Sequence, residues 1–213
     1  MKLAHTSLDS RSVVMTGYDR VAREFNMARV SESSEELAPL LAELTPGSTV
    51  LDLGCGAGVP IARALSRSHR VIGVDLSRTQ LALASEQVPM ADLIQADMSR
   101  CAFPPASFDA AVSFYAIFHL PLSEHGPLIL RVAEWLKPGG LLLATFSPHR
   151  QDGYTEDFFG AEMYWSNLSL PEYRALVEAA GLEIVSEGVV GHGYADQRAR
   201  AEAHPLVLAR KVR

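Results

Sequence analysis

Cysteine is nearly absent. Two residues, Cys55 and Cys101, occur in a chain of 213. Two separated thiols exclude a disulfide scaffold and a zinc site built mainly of cysteine, and a reducing cytoplasm is the expected compartment. Long apolar runs are missing too; none approaches the ~20 residues that span a bilayer. The opening MKLAHTSLDSRS has neither an apolar core nor a cleavage-like end, so no secretion signal is expected. Positive charge is in the minority, with a formal net charge of −6, which argues against non-specific nucleic-acid binding. His5, His69, His125, His192 and His204 show no metal-ligand spacing, so no metal is expected. Repeats, low-complexity tracts and long linkers are also lacking.

What is present is an ordinary globular composition, 48% hydrophobic and 21% charged, which excludes a disordered chain. The length suits one α/β domain with a small cap. From Thr49 onward, β-branched runs alternate with helical patterns. Strands are expected at Thr49–Leu53, Arg70–Asp75, Ala91–Ala96, Phe108–Phe114, Gly140–Phe146, Leu182–Val190 and Pro205–Lys211. Helices are expected at Ile61–Ser66, Arg78–Gln87, Glu124–Leu136 and Pro171–Ala180. This alternation implies βαβ units, a mainly parallel sheet and right-handed crossovers. Residues 1–46 carry two helical patterns, around Val13–Asn26 and Glu35–Leu44, and read as an N-terminal cap on a domain of residues 47–213. Residues 147–170 are rich in aromatic and polar groups and read as a lid-like insert.

The chemistry concentrates in Val50-Leu51-Asp52-Leu53-Gly54-Cys55-Gly56-Ala57-Gly58, a strand running into a glycine loop and a helix. Glycine lets backbone turn sharply and approach a ligand, and the helix start offers unpaired N–H groups. A dinucleotide fingerprint would need glycine where Val59 stands. Asp52, just ahead of the loop, would repel a pyrophosphate and favour a ligand bearing positive charge. Asp75 ends the second strand, where a carboxylate accepts both ribose hydroxyls; Asp97 follows the third, able to meet an adenine amino group between Leu76 and Met98.

These residues resemble a family. DLGCGAG, VDLS, QADM, FDAAVSFYAIFHL and LKPGGLLLATF, in that order, are similar to the class I S-adenosylmethionine-dependent methyltransferases, nearest in pattern to the small-molecule branch with the ubiquinone/menaquinone-type enzymes. The resemblance implies a Rossmann-like α/β fold, a seven-stranded sheet, mostly parallel with its last strand antiparallel and helices on both faces. It implies S-adenosyl-L-methionine as cofactor, with Gly54, Gly56 and Gly58 under its methionine part, Asp75 on the ribose, and Asp97 on the adenine; Cys55, a small filler of the glycine loop, is counted with the cofactor set. Asp52, Leu76, Ala96, Met98 and Phe114 join the cofactor set. Tyr18, in Tyr18-Asp19-Arg20-Val21-Ala22, is the candidate for a tyrosine that touches the cofactor carboxylate.

His119, after the fourth strand, is the expected general base because histidine titrates near neutrality; His149, after the fifth, is the second candidate. Tyr115, Tyr154 and Trp165 are expected to wall the acceptor pocket. Ser113-Phe114-Tyr115-Ala116 stands where amino-methylating enzymes for adenine or glutamine amide resemble each other in an N/D-P-P-Y/F motif, which disfavours that class. The expected partner is a small organic acceptor, with homodimer formation open. The acceptor atom also stays open, as does a cofactor-binding member without methyl transfer; Val59 and Asp52 argue against a nicotinamide-dependent oxidoreductase.

Overall fold

The computed structural model describes residues 9–28, 34–191 and 203–212. Helix α1 (Ser10–Ala28) comes first, followed by a 3-10 turn (Glu35–Leu37) and the short α2 (Ala38–Leu41). The helical pattern expected over Glu35–Leu44 thus shrinks to a turn and four residues, with Leu37 and Leu40 fully buried. The alternating body follows: β1 (Thr49–Leu53), α3 (Ile61–Leu65), β2 (Arg70–Asp75), α4 (Arg78–Gln87), β3 (Asp92–Gln95), β4 (Phe108–Ser113), α5 (Leu122–Trp135) and β5 (Leu136–Thr145). A hairpin of β6 (Gln151–Phe158) and β7 (Ala161–Asn167) intervenes before α6 (Leu170–Ala179), β8 (Leu182–Gly191) and β9 (Ala203–Lys211).

The seven-stranded sheet has the order β3-β2-β1-β4-β5-β9-β8. Five strands pair in parallel, and β9 runs antiparallel to both neighbours. The expected architecture holds, including the antiparallel last strand. Strand alternation sorts the core into two layers. Leu51, Ala111, Leu142 and Ala144 face Leu128, Val132, Tyr173 and Val177 of α5 and α6. Val50, Ala110, Val112, Leu141 and Leu143 face Leu37, Leu40, Ile61 and Leu65 on the other side. Burial on both faces leaves little room for polar strand positions, as central parallel strands require.

Local punctuation places the loops. Ser77 caps α4, its hydroxyl accepting the Gln80 N–H at 3.1 Å. The Ser169 N–H donates to the Glu172 carboxylate at 2.8 Å, which anchors the start of α6. The order reverses on either side of β1, where one connection runs to β2 and the other to β4. Ligands bind at the carboxyl ends of strands beside such a switch point.

Residues 147–170 are neither an irregular connection nor a structureless loop. Phe158 pairs with Ala161, and Phe159 (φ 53°) with Gly160 (φ 80°) close a two-residue turn. Positive φ at both central positions suits the twist of a tight hairpin. The hairpin packs on α1 through Val14, Met163 and Tyr164. Gly17 permits this contact: a Cβ there would stand 2.9 Å from both the Glu162 carbonyl oxygen and Met163 Cε.

Candidate active site

Where β1, β2, β3 and β4 end, their loops meet under α1 and enclose a cavity of about 1090 Å³, open mouth included. One half is lined by strand-end residues, among them Gly54, Cys55, Gly56, Asp75, Leu76, Ala96, Asp97 and Met98. The other half is lined by Tyr18, Phe25, Phe114, Tyr115, Phe118, His119 and Trp165.

The glycine loop is bolted to the end of β2. The Gly54 and Cys55 N–H groups both donate to the Val74 carbonyl, at 2.8 and 3.0 Å. Gly54 has φ +76°, and a Cβ there would lie 2.2 Å from Ala116 Cβ; only glycine fits. The Gly56 N–H donates to Asp75 Oδ2 and the Ser77 N–H to Asp75 Oδ1, each at 2.8 Å. These bonds orient the carboxylate at the cavity wall. Burial pushes the Asp75 carboxyl up to about 6, against the opposing pull of those N–H groups.

Asp97 is the second carboxylate. Its Oδ1 accepts the Ser99 N–H at 2.8 Å, and its Oδ2 accepts from Arg11 Nε. Burial alone would raise it, but the Ser99 and Arg11 hydrogen bonds hold it below the usual carboxylate value. Gln80 is only 1% exposed and lines the same cavity. Among the described residues neither Gln80 Oε1 nor Nε2 has a hydrogen-bond partner. A buried carboxamide left so is costly unless a ligand completes it. A nucleoside with hydroxyl and amino donors fits this set: Asp75 and Gln80 on one edge, Asp97 on another, with Leu76, Ala96 and Met98 as apolar walls.

In the aromatic half, His119 Nδ1 lies 2.8 Å from the Tyr164 carbonyl oxygen and Nε2 lies 2.9 Å from Tyr18 Oη. A carbonyl only accepts, so the ring proton sits on Nδ1, and Nε2 accepts the Tyr18 O–H. Burial lowers His119 to about 4, opposed by its bond to Tyr164; the imidazole is neutral at pH 7. Trp165 packs on it, ring centroids 4.5 Å apart.

Four of the residues anticipated for the site are not among those lining the cavity. Asp52 is an interior position of β1, 2% exposed between Gly73 and Val112, and does not line the cavity. Gly58 turns away from it; a Cβ there would meet Val88 Cγ2 at 2.7 Å, so this glycine lets the loop pack on α4. His149 is exposed, because the chain turns outward after the buried Phe146 and Ser147. Tyr154 is 48% exposed on β6, its ring against Tyr164 rather than in the cavity. Sequence reasoning missed Arg11, Phe25 and Gln80 as lining residues. Gln80 had a signal, standing three residues after the Ser77 cap in the first turn of α4. Arg11 and Phe25 had none, since only the docking of α1 brings them there.

Fold and cavity together define a nucleoside-binding α/β domain with an aromatic chamber beside the nucleoside. A family described as a methyltransferase domain matches residues 50–140. The trans-aconitate 2-methyltransferase of Deinococcus radiodurans is 31% identical over 194 residues, covering 87% of this chain and 72% of that protein. The 27-O-demethylrifamycin SV methyltransferase of Amycolatopsis mediterranei is 32% identical over 173 residues, covering 73% of this chain and 62% of that one. A probable S-adenosylmethionine-dependent methyltransferase of Mycolicibacterium smegmatis is matched over 59% of its length, so the chain spans about six-tenths of these last two relatives. The crystal structure of Burkholderia thailandensis 1,6-didemethyltoxoflavin-N1-methyltransferase shares the fold, with a TM-score of 0.75 at 20% identity over 100% of this chain and 94% of that one. So does the [4+2]-cyclase SpnF, with a TM-score of 0.71 at 22% identity over 95% and 96%. The chain belongs to the S-adenosylmethionine-dependent methyltransferase family.

Proposed function

We propose that this protein transfers a methyl group from S-adenosylmethionine to a small, ring-bearing organic acceptor, of the kind taken by the quinone-type branch that the motifs resemble. The observation that carries this reading is one cavity with two chemistries: the Asp75–Gln80–Asp97 polar set at the strand ends, and the aromatic chamber around His119. Asp75 accepts the ribose hydroxyls, Gln80 completes its hydrogen bonds on the same edge, and Asp97 accepts from the adenine amino group. The backbone of Gly54, Cys55 and Gly56 lies under the methionine part. When bound, the cofactor supplies an electrophilic methyl on a sulfonium. The chain's own contribution is to hold the acceptor in line and keep water out, which can carry much of the rate.

Tyr18, Phe118 and Trp165 present rings to a planar acceptor, with α1 and the β6–β7 hairpin acting as its lid. His119 has its Nδ1 proton committed to Tyr164, so Nε2 is the only basic position, reached through the Tyr18 hydroxyl. A neutral amine or a thiolate needs no more than positioning there. A phenol would have to pass its proton to an Nε2 that burial makes a weak acceptor, at about 4 rather than the near-neutral value expected of histidine, so an amine or thiolate suits His119 better. The carboxylate relatives, among them the trans-aconitate enzymes, do not decide the acceptor for this chain.

The test combines calorimetric binding of S-adenosylmethionine with a screen of phenols, amines and thiols by product mass. Saturable binding together with a product gaining one methyl, and S-adenosylhomocysteine in equal amount, supports the reading. Binding without turnover on every acceptor favours a cofactor-binding member with other pocket chemistry. No binding refutes both.

A further inference from the structure

Arg11 stands in the first turn of α1 and yet lies at the nucleoside end of the cavity. Its Nε donates to Asp97 Oδ2, and its terminal nitrogen reaches Ser99 Oγ at 3.1 Å and the Glu124 carboxylate. The Arg11 side chain is 17% exposed, and Asp97 11%. Arg100 also approaches Asp97, at 3.5 Å, but is 72% exposed, so solvent weakens its pull. Glu124 sits in the first turn of α5 and does not line the cavity. A second tie holds the same helix: Asp19 Oδ1 accepts from Ser77 Oγ at 2.6 Å and from the Thr79 N–H at 3.0 Å. Helix α1 is thus pinned to the two loops that carry the nucleoside carboxylates, the β2–α4 turn and the segment after β3.

We propose that Arg11 is a positioning residue of the nucleoside site: it aims Asp97 at the adenine amino edge and, through Glu124, holds helix α1 closed over the bound nucleoside. The inference rests on the cofactor placement given under Proposed function. The Ser99 N–H fixes one carboxylate oxygen of Asp97 and Arg11 fixes the other, so the carboxylate has one orientation and stays ionised. Because α1 also contributes Val14, Met15, Tyr18 and Phe25 to the cavity, closing the helix and binding the nucleoside are coupled. By linkage, whatever weakens one weakens the other.

The experiment measures affinity and dissociation rate of two ligands on the full chain, by calorimetry and stopped flow. One ligand is S-adenosylhomocysteine. The other is S-inosylhomocysteine, in which an oxygen replaces the adenine amino group. Arg11→Met is expected to weaken S-adenosylhomocysteine by about tenfold and to shrink its advantage over the inosyl ligand, since a misaimed Asp97 no longer selects the amino group. Glu124→Gln, remote from the ligand, is expected to speed dissociation of both ligands several-fold while leaving their ratio unchanged. The double variant should match Arg11→Met alone, because both act through one latch. His125→Leu, a buried change outside the cavity, controls for general loss of stability and should leave both rates unaltered. Unchanged selectivity in Arg11→Met, or additive effects in the double variant, overturns the inference. Failure of the unaltered protein to bind S-adenosylhomocysteine overturns it together with the function it rests on.

Discussion

Cofactor affinity should fall in mild acid, and Asp75 is the reason. Burial pushes its carboxyl up to about 6 from an ordinary 3.8. A ribose hydroxyl donates to the ionised form, so binding favours loss of this proton. Affinity is then full above pH 7 and is lost as pH falls through about 6, with Kd rising about tenfold by pH 5. Stability of the unliganded protein follows the opposite sign. Between 3.8 and 6 the native state holds a proton that the unfolded chain has released, so stability declines as pH rises through that window. The accumulated cost at pH 7 is about 3 kcal/mol for a shift of this size. Asp97 stays ionised throughout, being held low by Ser99 and Arg11 despite its burial, and His119, lowered to about 4 by burial, stays mostly neutral. The assay is calorimetry with S-adenosylhomocysteine from about pH 5 to about 8, beside thermal melts with and without ligand. Acidification should raise the unliganded Tm contribution of this group while shrinking the ligand-induced rise. Asp75→Asn should bind weakly and lose the pH dependence. A Kd that is flat from pH 5 to 7, or an equal slope in Asp75→Asn, refutes the reasoning.

Tyr18→Phe removes the hydroxyl that donates to His119 Nε2 at 2.9 Å; turnover should drop about tenfold with S-adenosylhomocysteine affinity nearly unchanged. A tenfold loss of affinity with kcat retained would instead make Tyr18 the anchor of the cofactor carboxylate. Gly54→Ala forces a Cβ to 2.2 Å from Ala116 at φ +76° and should cost at least about 2 kcal/mol in urea denaturation. A variant as stable as the parent would mean that the loop shifts freely. His125 is fully buried, with Nε2 donating to the Leu120 carbonyl at 3.0 Å and Nδ1 accepting from the Tyr173 hydroxyl at 2.9 Å. His125→Leu strands a buried hydroxyl and should cost about 2–3 kcal/mol in the same assay, and a loss below the error of the fit would show that Tyr173 finds another partner.

The division between what could be read in the sequence and what could not follows from the range of the interactions involved. Val50–Leu53, Arg70–Asp75 and Phe108–Ser113 are legible because burial on both faces demands short, mostly apolar runs, and Gly54 and Ser77 punctuate the first two. Asp75 is legible because it closes the buried run of β2, and Asp97 because it stands two residues beyond the short, mostly exposed β3, so that finding each strand end also finds a carboxylate on the cavity wall. Asp52 and Gly58 show the limit of the same logic. Each lies within the motif, but strand parity turns Asp52 to the same buried sheet face as Val50, and Gly58 serves the contact with Val88. The β6–β7 hairpin was obscured because its outer strand is mostly exposed and charged, with no apolar alternation, and because its turn is Phe159-Gly160 rather than a familiar Asn-Gly pair. Arg11, Phe25 and the Tyr18–His119 bond lay beyond local reading altogether. Tyr18 and His119 are 101 positions apart, and no local pattern encodes where a helix docks. Gly17 is a trace of that docking in the sequence, beside the Tyr18 segment. It is a small residue in the middle of a helix, where glycine costs roughly 1 kcal/mol relative to alanine, kept where a hairpin backbone passes within 2.9 Å of its missing Cβ. An interior helix glycine ahead of the first strand therefore marks the face by which α1 meets the β6–β7 hairpin.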